Sequence, residues 1–280
     1  MKRILTMQDL SCAGRCSLTE AIPVLSAMEL ETAVLPTAVL SSHTAFEHVS
    51  VTSLLESDRN IIQSWKENGI TFDGIYIGYL GSVEAIGVAE LVIDTFGNDI
   101  PILIDPVFGD HGKLYRGIDS DFPNKLRNLL FNATMICPNV TEACFLTDTS
   151  CDEILNTQQY EVLLTRLSTI CPGTVIMTGI ETGDNEIATM LYTKETGIQK
   201  CSVKKEQASF HGTGDLWASV FIGACMHAIP MADAMDLSGR FVKEAIHITL
   251  ADQGDPLFGT EFEKALPFLV QNLKERKKEK

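Results

Sequence analysis

An α/β fold with a mostly parallel sheet covered on both faces by helices is predicted by three observations. Apolar runs of strand length alternate with longer amphipathic segments through most of the chain. Polar residues and glycines recur where the apolar runs stop, as expected where such a sheet opens onto a ligand. Near Glu186 the alternation gives way to two short runs, Ile187 to Thr193 and Ile198 to Lys204, joined across Lys194 to Gly197 as a late β-hairpin.

In order, Ile4 to Gln8 reads as a strand and Ser17 to Met28 as a helix, with Ser17 as a possible cap and Glu20 at the capping-box position. A second strand follows over Thr32 to Leu40, then an irregular stretch around Ser42 to Thr52 and a helix near Asp58 to Glu67. Gly74 to Leu80 is a strand, Val83 to Phe96 a helix and Ile100 to Val107 a strand. A helix near Asp121 to Leu130 leads to the strand Ala133 to Cys137, helical segments to Ile170 and the strand Thr174 to Gly179. After the hairpin come an apolar helix, Leu216 to Ile229, and two more helices. No repeat or long linker interrupts this order, so residues 1–280 are expected to form one domain. The basic tail from 270 to 280 is expected to fray into solvent.

With 280 residues, 45% of them apolar, the chain can bury a full core. Its net charge of −15 opposes nucleic acid or an anionic membrane as a partner, so a phosphate site here must rely on local dipoles or a metal ion. The start, Met1 to Met7, meets Asp9 before any signal-type apolar region develops, and Leu216 to Ile229 is too short to span a bilayer. The eight cysteines include no C-x-x-C pair and most read as buried thiols, which together with chain length points to the cytoplasm.

The segment Phe210-His211-Gly212-Thr213-Gly214-Asp215 runs directly into the apolar helix. Two glycines permit a sharp turn and close approach to a ligand, and a helix start presents bare amides and a positive dipole end to an anion. A carboxylate there would repel a phosphate, so Asp215 reads either as a proton acceptor or, more simply, as an N-cap beside Thr213. Trp217 stands where a dinucleotide fingerprint needs its third small residue, which speaks against an oxidoreductase.

Other polar residues gather at predicted strand ends: Asp9; Tyr79 in Gly78 to Ser82; Asp105 and Asp110; Asn139 and Glu142; and Thr178. Walker A, H-E-x-x-H, G-x-S-x-G and zinc-spaced Cys/His patterns do not occur. What remains is phosphoryl transfer, which needs amide donors, a divalent cation and a base for the attacking hydroxyl. Asp105, Asp110, Asn139 and Glu142 offer the oxygen ligands magnesium takes.

Gly-Thr-Gly-Asp at 212–215, Asp-Pro-Val-Phe-Gly-Asp at 105–110, Pro-Asn-Val-Thr-Glu at 138–142 and Gly-Tyr-Leu-Gly-Ser at 78–82 together resemble the ribokinase superfamily, and within it the pyridoxal kinases. Ser41-Ser42-His43-Thr44 is similar to the Ser-Asn-His-Thr segment that faces the pyridine ring in those enzymes. The resemblance implies a three-layer ribokinase-like fold and ATP-dependent phosphorylation of the 5′-hydroxyl of a vitamin B6 vitamer. It implies Asp215 as base and Gly212, Thr213 and Gly214 as anion hole. Asn139 and Glu142 would organise magnesium and the triphosphate, with Asp105 and Asp110 beside them and Tyr115 and Thr178 near ATP. Thr44, His43 and Tyr79 would line the ring pocket. A homodimer and a monovalent cation such as potassium are further implications.

The chain departs from that pattern at Asp9, where many pyridoxal kinases have serine. Asp9 reads either as a partner for a protonated ring nitrogen or amine, favouring pyridoxamine or hydroxymethylpyrimidine, or as a turn cap. Rival readings are therefore a hydroxymethylpyrimidine kinase and a non-catalytic sensor of nucleotide or vitamer.

Overall fold

The structure, a computed structural model, describes residues 1–153, 156–183 and 185–278. The elements are β1 (Arg3–Ser11), α1 (Leu18–Ala27), β2 (Glu31–Leu40), β3 (Val51–Ser53), α2 (Leu55–Glu67), β4 (Gly74–Ile77), α3 (Val83–Phe96) and β5 (Ile102–Ile104). Next come the short ribbon β6 (Gly109–Asp110) and β7 (Lys113–Leu114), then α4 (Phe122–Phe131), β8 (Met135–Ile136), α5 (Val140–Leu146) and α6 (Thr157–Leu167). The chain finishes with β9 (Thr174–Thr182), β10 (Glu186–Thr193), β11 (Gly197–Lys204), α7 (Thr213–Met226), α8 (Met231–Ala251) and α9 (Leu266–Lys278).

The main sheet runs β11-β10-β9-β8-β5-β4-β1-β2-β3, with β9 through β2 mutually parallel, β3 antiparallel to β2, and β10 antiparallel to both of its neighbours, β9 and β11. Successive side chains of a strand point to opposite faces, so each buried strand feeds two cores. Leu5, Met7, Ile75, Ile77, Ile102 and Ile104 join the core under α2 to α6. Ile4, Tyr76 and Leu103 join the other, with α1, α7, α8 and α9. Near-continuous apolar runs, rather than alternation, are what such doubly covered strands require. The mostly parallel sheet, the two helical layers and the late hairpin match the predicted fold.

The differences are local. Val51–Ser53, read as irregular, pairs with Ala38–Leu40 as an edge strand too short to signal itself. β5 stops at Ile104, short of Val107, because Pro106 has no N–H to donate and Val107 turns to φ 40°. β9 passes its predicted end at Gly179 through a register shift against β10. The tail is not frayed from 270: α9 continues to Lys278, buries Leu269 and Leu273, and ties Arg276 to Asp233 and Asp236 of α8. Residues 279 and 280 lie outside the described residues.

Candidate active site

The parallel strands end in loops that face the start of α7. Gly212 precedes that helix at φ 82°, a left-handed conformation that a β-carbon disfavours. The first helical bond runs from the Leu216 N–H to the Gly212 carbonyl, 2.9 Å. Among the described residues, the N–H groups of Thr213, Gly214 and Asp215 have no acceptor, the state expected of a helix start open to an anion. Thr213 does not cap the helix: its hydroxyl donates to the Phe210 carbonyl, 3.2 Å.

Asp215 is buried, and its Oδ2 accepts the Ser17 N–H at 2.8 Å while Oδ1 has no partner. The carboxylate is therefore not an N-cap of its own helix. Burial is the main reason its pKa rises to about 7; the Ser17 bond opposes that rise and the charge of Asp9 adds to it. Ser17 reaches this bond at φ 47° and ψ −127°, a strained conformation for a residue with a side chain. Neither Ser17 nor Glu20 forms the capping box their spacing suggests: Ser17 makes no side-chain cap bond, and Glu20 is buried.

The second group forms around Glu142. Asn139 caps α5 by accepting the Glu142 N–H at 2.9 Å, and Glu142 Oε2 accepts the Asn139 N–H at 2.9 Å, closing a capping box. Glu142 Oε1 meanwhile accepts the Phe108 N–H at 2.9 Å, and Asn139 Nδ2 donates to the Gly109 carbonyl at 2.8 Å. This pair thus holds the 105–110 loop by its backbone. Asp105 lies against the helix start, its Oδ2 4.0 Å from where a Gly214 β-carbon would stand. Burial, then the charges of Glu142 and Asp215, push the Asp105 carboxyl well above its ordinary range. Tyr115 faces the same charges: burial, then Glu142, Asp110, Asp105 and Asp215, push its phenol up, and its N–H donates to the Phe108 carbonyl. Asp110 itself is exposed on the ribbon. Thr178 bridges in parallel to Asn139 and donates its N–H to the Pro138 carbonyl, 3.0 Å.

On the opposite side, Asp9 is buried at the end of β1 and its Oδ2 accepts the Ser11 hydroxyl at 3.0 Å. Burial raises its pKa, offset by the hydroxyls of Ser17 and Ser11 and by His43. Tyr79 is close enough to feel that charge; burial, then Asp9, lift its phenol to about 12. His43 meets Phe46 edge-on and His211 at a tilt, ring centroids 4.8 and 4.9 Å apart, and its Nε2 lies 2.6 Å from the Leu257 carbonyl. Since Nδ1 accepts the Ala45 N–H, Nε2 is assigned as the protonated nitrogen, and both ring nitrogens are engaged with backbone in a buried ring. Thr44 is exposed, with no hydrogen bond among the described residues tying it to this group.

Three carboxyls, Asp105, Glu142 and Asp215, thus act on one another near the open amides, and among the described residues none of them is in a salt bridge. A divalent ion brought with a phosphate ligand fits this excess charge, with Asp105 as the available oxygen donor because Glu142 is already bound to backbone amides. Among the described residues, no three acidic, histidine or cysteine side chains are spaced to hold a metal by themselves. Sequence reasoning missed Ser17 and Glu20 as parts of this centre; their only signal was the apparent cap.

The profile of the phosphomethylpyrimidine kinase family matches residues 26–255. A structure from Bacteroides thetaiotaomicron, named as a candidate phosphomethylpyrimidine kinase and solved with pyridoxal, is 34% identical with a TM-score of 0.91, covering 96% of this chain and 95% of that one. Pyridoxal kinase from Lactobacillus plantarum is 28% identical with a TM-score of 0.91, covering 98% and 99%. The fold is shared at 19% identity by Leishmania donovani pyridoxal kinase in complex with ADP and pyridoxamine, TM-score 0.86, with 96% of each chain covered. A carboxylate beside open helix amides, the ribokinase-like sheet that carries it and the profile match across most of the sequence place this chain in the phosphomethylpyrimidine kinase family.

Proposed function

We propose that the protein transfers the γ-phosphoryl group of ATP to the 5′-hydroxyl of a B6 vitamer, making a 5′-phosphorylated product and ADP. The observation that carries this reading is Asp215: one oxygen is held by the Ser17 N–H, and the other is unpartnered beside the amides of α7. Asp215 takes the proton of the attacking alcohol, whose oxygen forms a bond to the γ-phosphorus as the bond to the bridging oxygen of ADP breaks. The amides of Gly212, Thr213 and Gly214 receive the charge that develops on the phosphoryl oxygens. Asp9 and Tyr79 contact the ring substituents, and His43, packed behind them, shapes the ring pocket with Thr44 at its exposed edge. Asn139 and Glu142 fix the loop that carries Asp105, while Tyr115, Asp110 and Thr178 border the nucleotide.

Magnesium, held by Asp105 with the nucleotide's own phosphates, supplies charge neutralisation when bound. A potassium requirement and a homodimer complete the reading, tested by activity in choline versus potassium buffer and by light scattering. No disulfide joins any of the eight cysteines among the described residues, and no helix among them is long and apolar enough to cross a membrane, which supports a cytoplasmic site of action.

Solved pyridoxal and pyridoxamine complexes of the similar proteins support the B6 substrate. The family profile, together with Asp9, favours hydroxymethylpyrimidine as the second candidate. Comparing kcat/KM for pyridoxal, pyridoxamine, pyridoxine and hydroxymethylpyrimidine with magnesium-ATP decides between them. A B6 vitamer should be turned over with the highest value. Turnover of hydroxymethylpyrimidine alone would overturn the assignment, and binding without turnover of any compound would leave only a sensor.

A further inference from the structure

Glu20 lies in the first turn of α1, fully buried, and neither of its carboxyl oxygens has a hydrogen-bond partner. It faces the start of α7: a β-carbon on Gly212 would fall 2.6 and 2.7 Å from its two oxygens and 2.5 Å from the Arg15 carbonyl. Gly212 is thus wedged between Arg15 and Glu20, and no other residue fits that space in that conformation. The entry to α1 also holds the base, because Ser17, the residue just before the helix, donates its N–H to Asp215.

The surroundings disfavour a charge on Glu20. Asp215 of α7 and Glu263 of the 262–265 turn act on it with like charge, and the buried Tyr76 hydroxyl of β4 and the Cys16 thiol lie in its field. Arg15 alone opposes them, and its guanidinium is directed at Glu263, Nε to Oε1 2.8 Å. Burial, then Asp215 and Glu263, raise the Glu20 pKa well above the carboxylate range.

We propose that Glu20 is a positioning residue: an uncharged carboxylic acid wedge beneath Gly212 that keeps the first turn of α7, and so the anion hole, aligned with Asp215. The inference rests on the anion-hole reading above. An ionised Glu20 would compete with the γ-phosphate for the same amides and repel it. Its linkage has a definite sign. A group whose folded pKa is raised contributes stability that is whole below its unfolded pKa and is lost as pH rises through its folded value.

The test compares the full-length protein with Glu20→Gln, which keeps the shape without the titration, and with the apolar Glu20→Met. The Tm advantage of each variant over the parent should grow as pH rises above the ordinary carboxylate range. In the kcat/KM profile, the alkaline fall should move to higher pH in Glu20→Gln, a change that a purely structural filler would not produce. A Tm difference that stays constant or shrinks with pH overturns the wedge. Should both variants fail to fold, infrared spectra of the parent labelled with ¹³C-glutamate decide. A protonated-carboxyl band should persist at about pH 8, and its absence overturns the proposal. If no vitamer is turned over, the thermal series still reports the Glu20 charge. A flat thermal series with normal vitamer turnover sinks the wedge alone.

Discussion

At Asp215, the atom that accepts a proton is the one the protein leaves unbound. Ser17 occupies Oδ2 through its N–H, so the carboxylate is oriented without using Oδ1. Asp215→Asn keeps the shape and loses the base, so kcat should fall by about 10²- to 10⁴-fold while ATP affinity by calorimetry stays nearly constant. With a pKa lifted to about 7, the free protein's kcat/KM should decline as pH drops below that value, one decade per pH unit. Asp215→Asn should erase this acid limb from its residual rate, and a limb that survives would assign it to another group. Burying a carboxyl whose folded pKa exceeds the unfolded value costs stability at alkaline pH. The Asn variant should therefore show a higher Tm than the parent at about pH 8, an exchange of activity for stability.

Among the elements, α5 and α7 use their N-termini differently. α5 has its Asn139 and Glu142 N–H groups closed by a reciprocal capping box, and the same carboxylate reaches back to Phe108. α7 leaves its amides open. Glu142→Ala removes the acceptor of buried N–H groups, so it should lower stability by about 1–3 kcal/mol in urea titration. Because the 105–110 loop would lose its anchor, KM for ATP should rise as well. A rise in KM without loss of stability would mean that Glu142 meets the nucleotide directly. The local pattern Asn-x-x-Glu was legible in the sequence, but its division of labour was not: spacing cannot distinguish a carboxylate bound to amides from one awaiting a cation.

For the whole molecule, one sheet joins two cores, and α7 is the helix most enclosed by the second. Phe221 is fully buried there and stacks on Trp217 at 5.0 Å. Phe221→Ala should cost about 3–5 kcal/mol, with near-ultraviolet and far-ultraviolet circular dichroism melting together because both cores share the same strands. Separate transitions would show that the two faces fold independently.

Periodicity and turn chemistry along the chain determined the alternating fold, the strand ends that carry polar groups, the glycine-lined helix start and the carboxylate beside it. These are local: apolar spacing selects strand or helix, and glycine permits the left-handed turn at Gly212. Only the folded chain brought Ser17 to Asp215 across 198 residues, set Glu20 against Gly212, turned His43 toward Leu257 and docked α9 through Arg276. Such contacts depend on which surfaces meet when the layers close, and no short-range pattern encodes the partner of a side chain buried against a distant element.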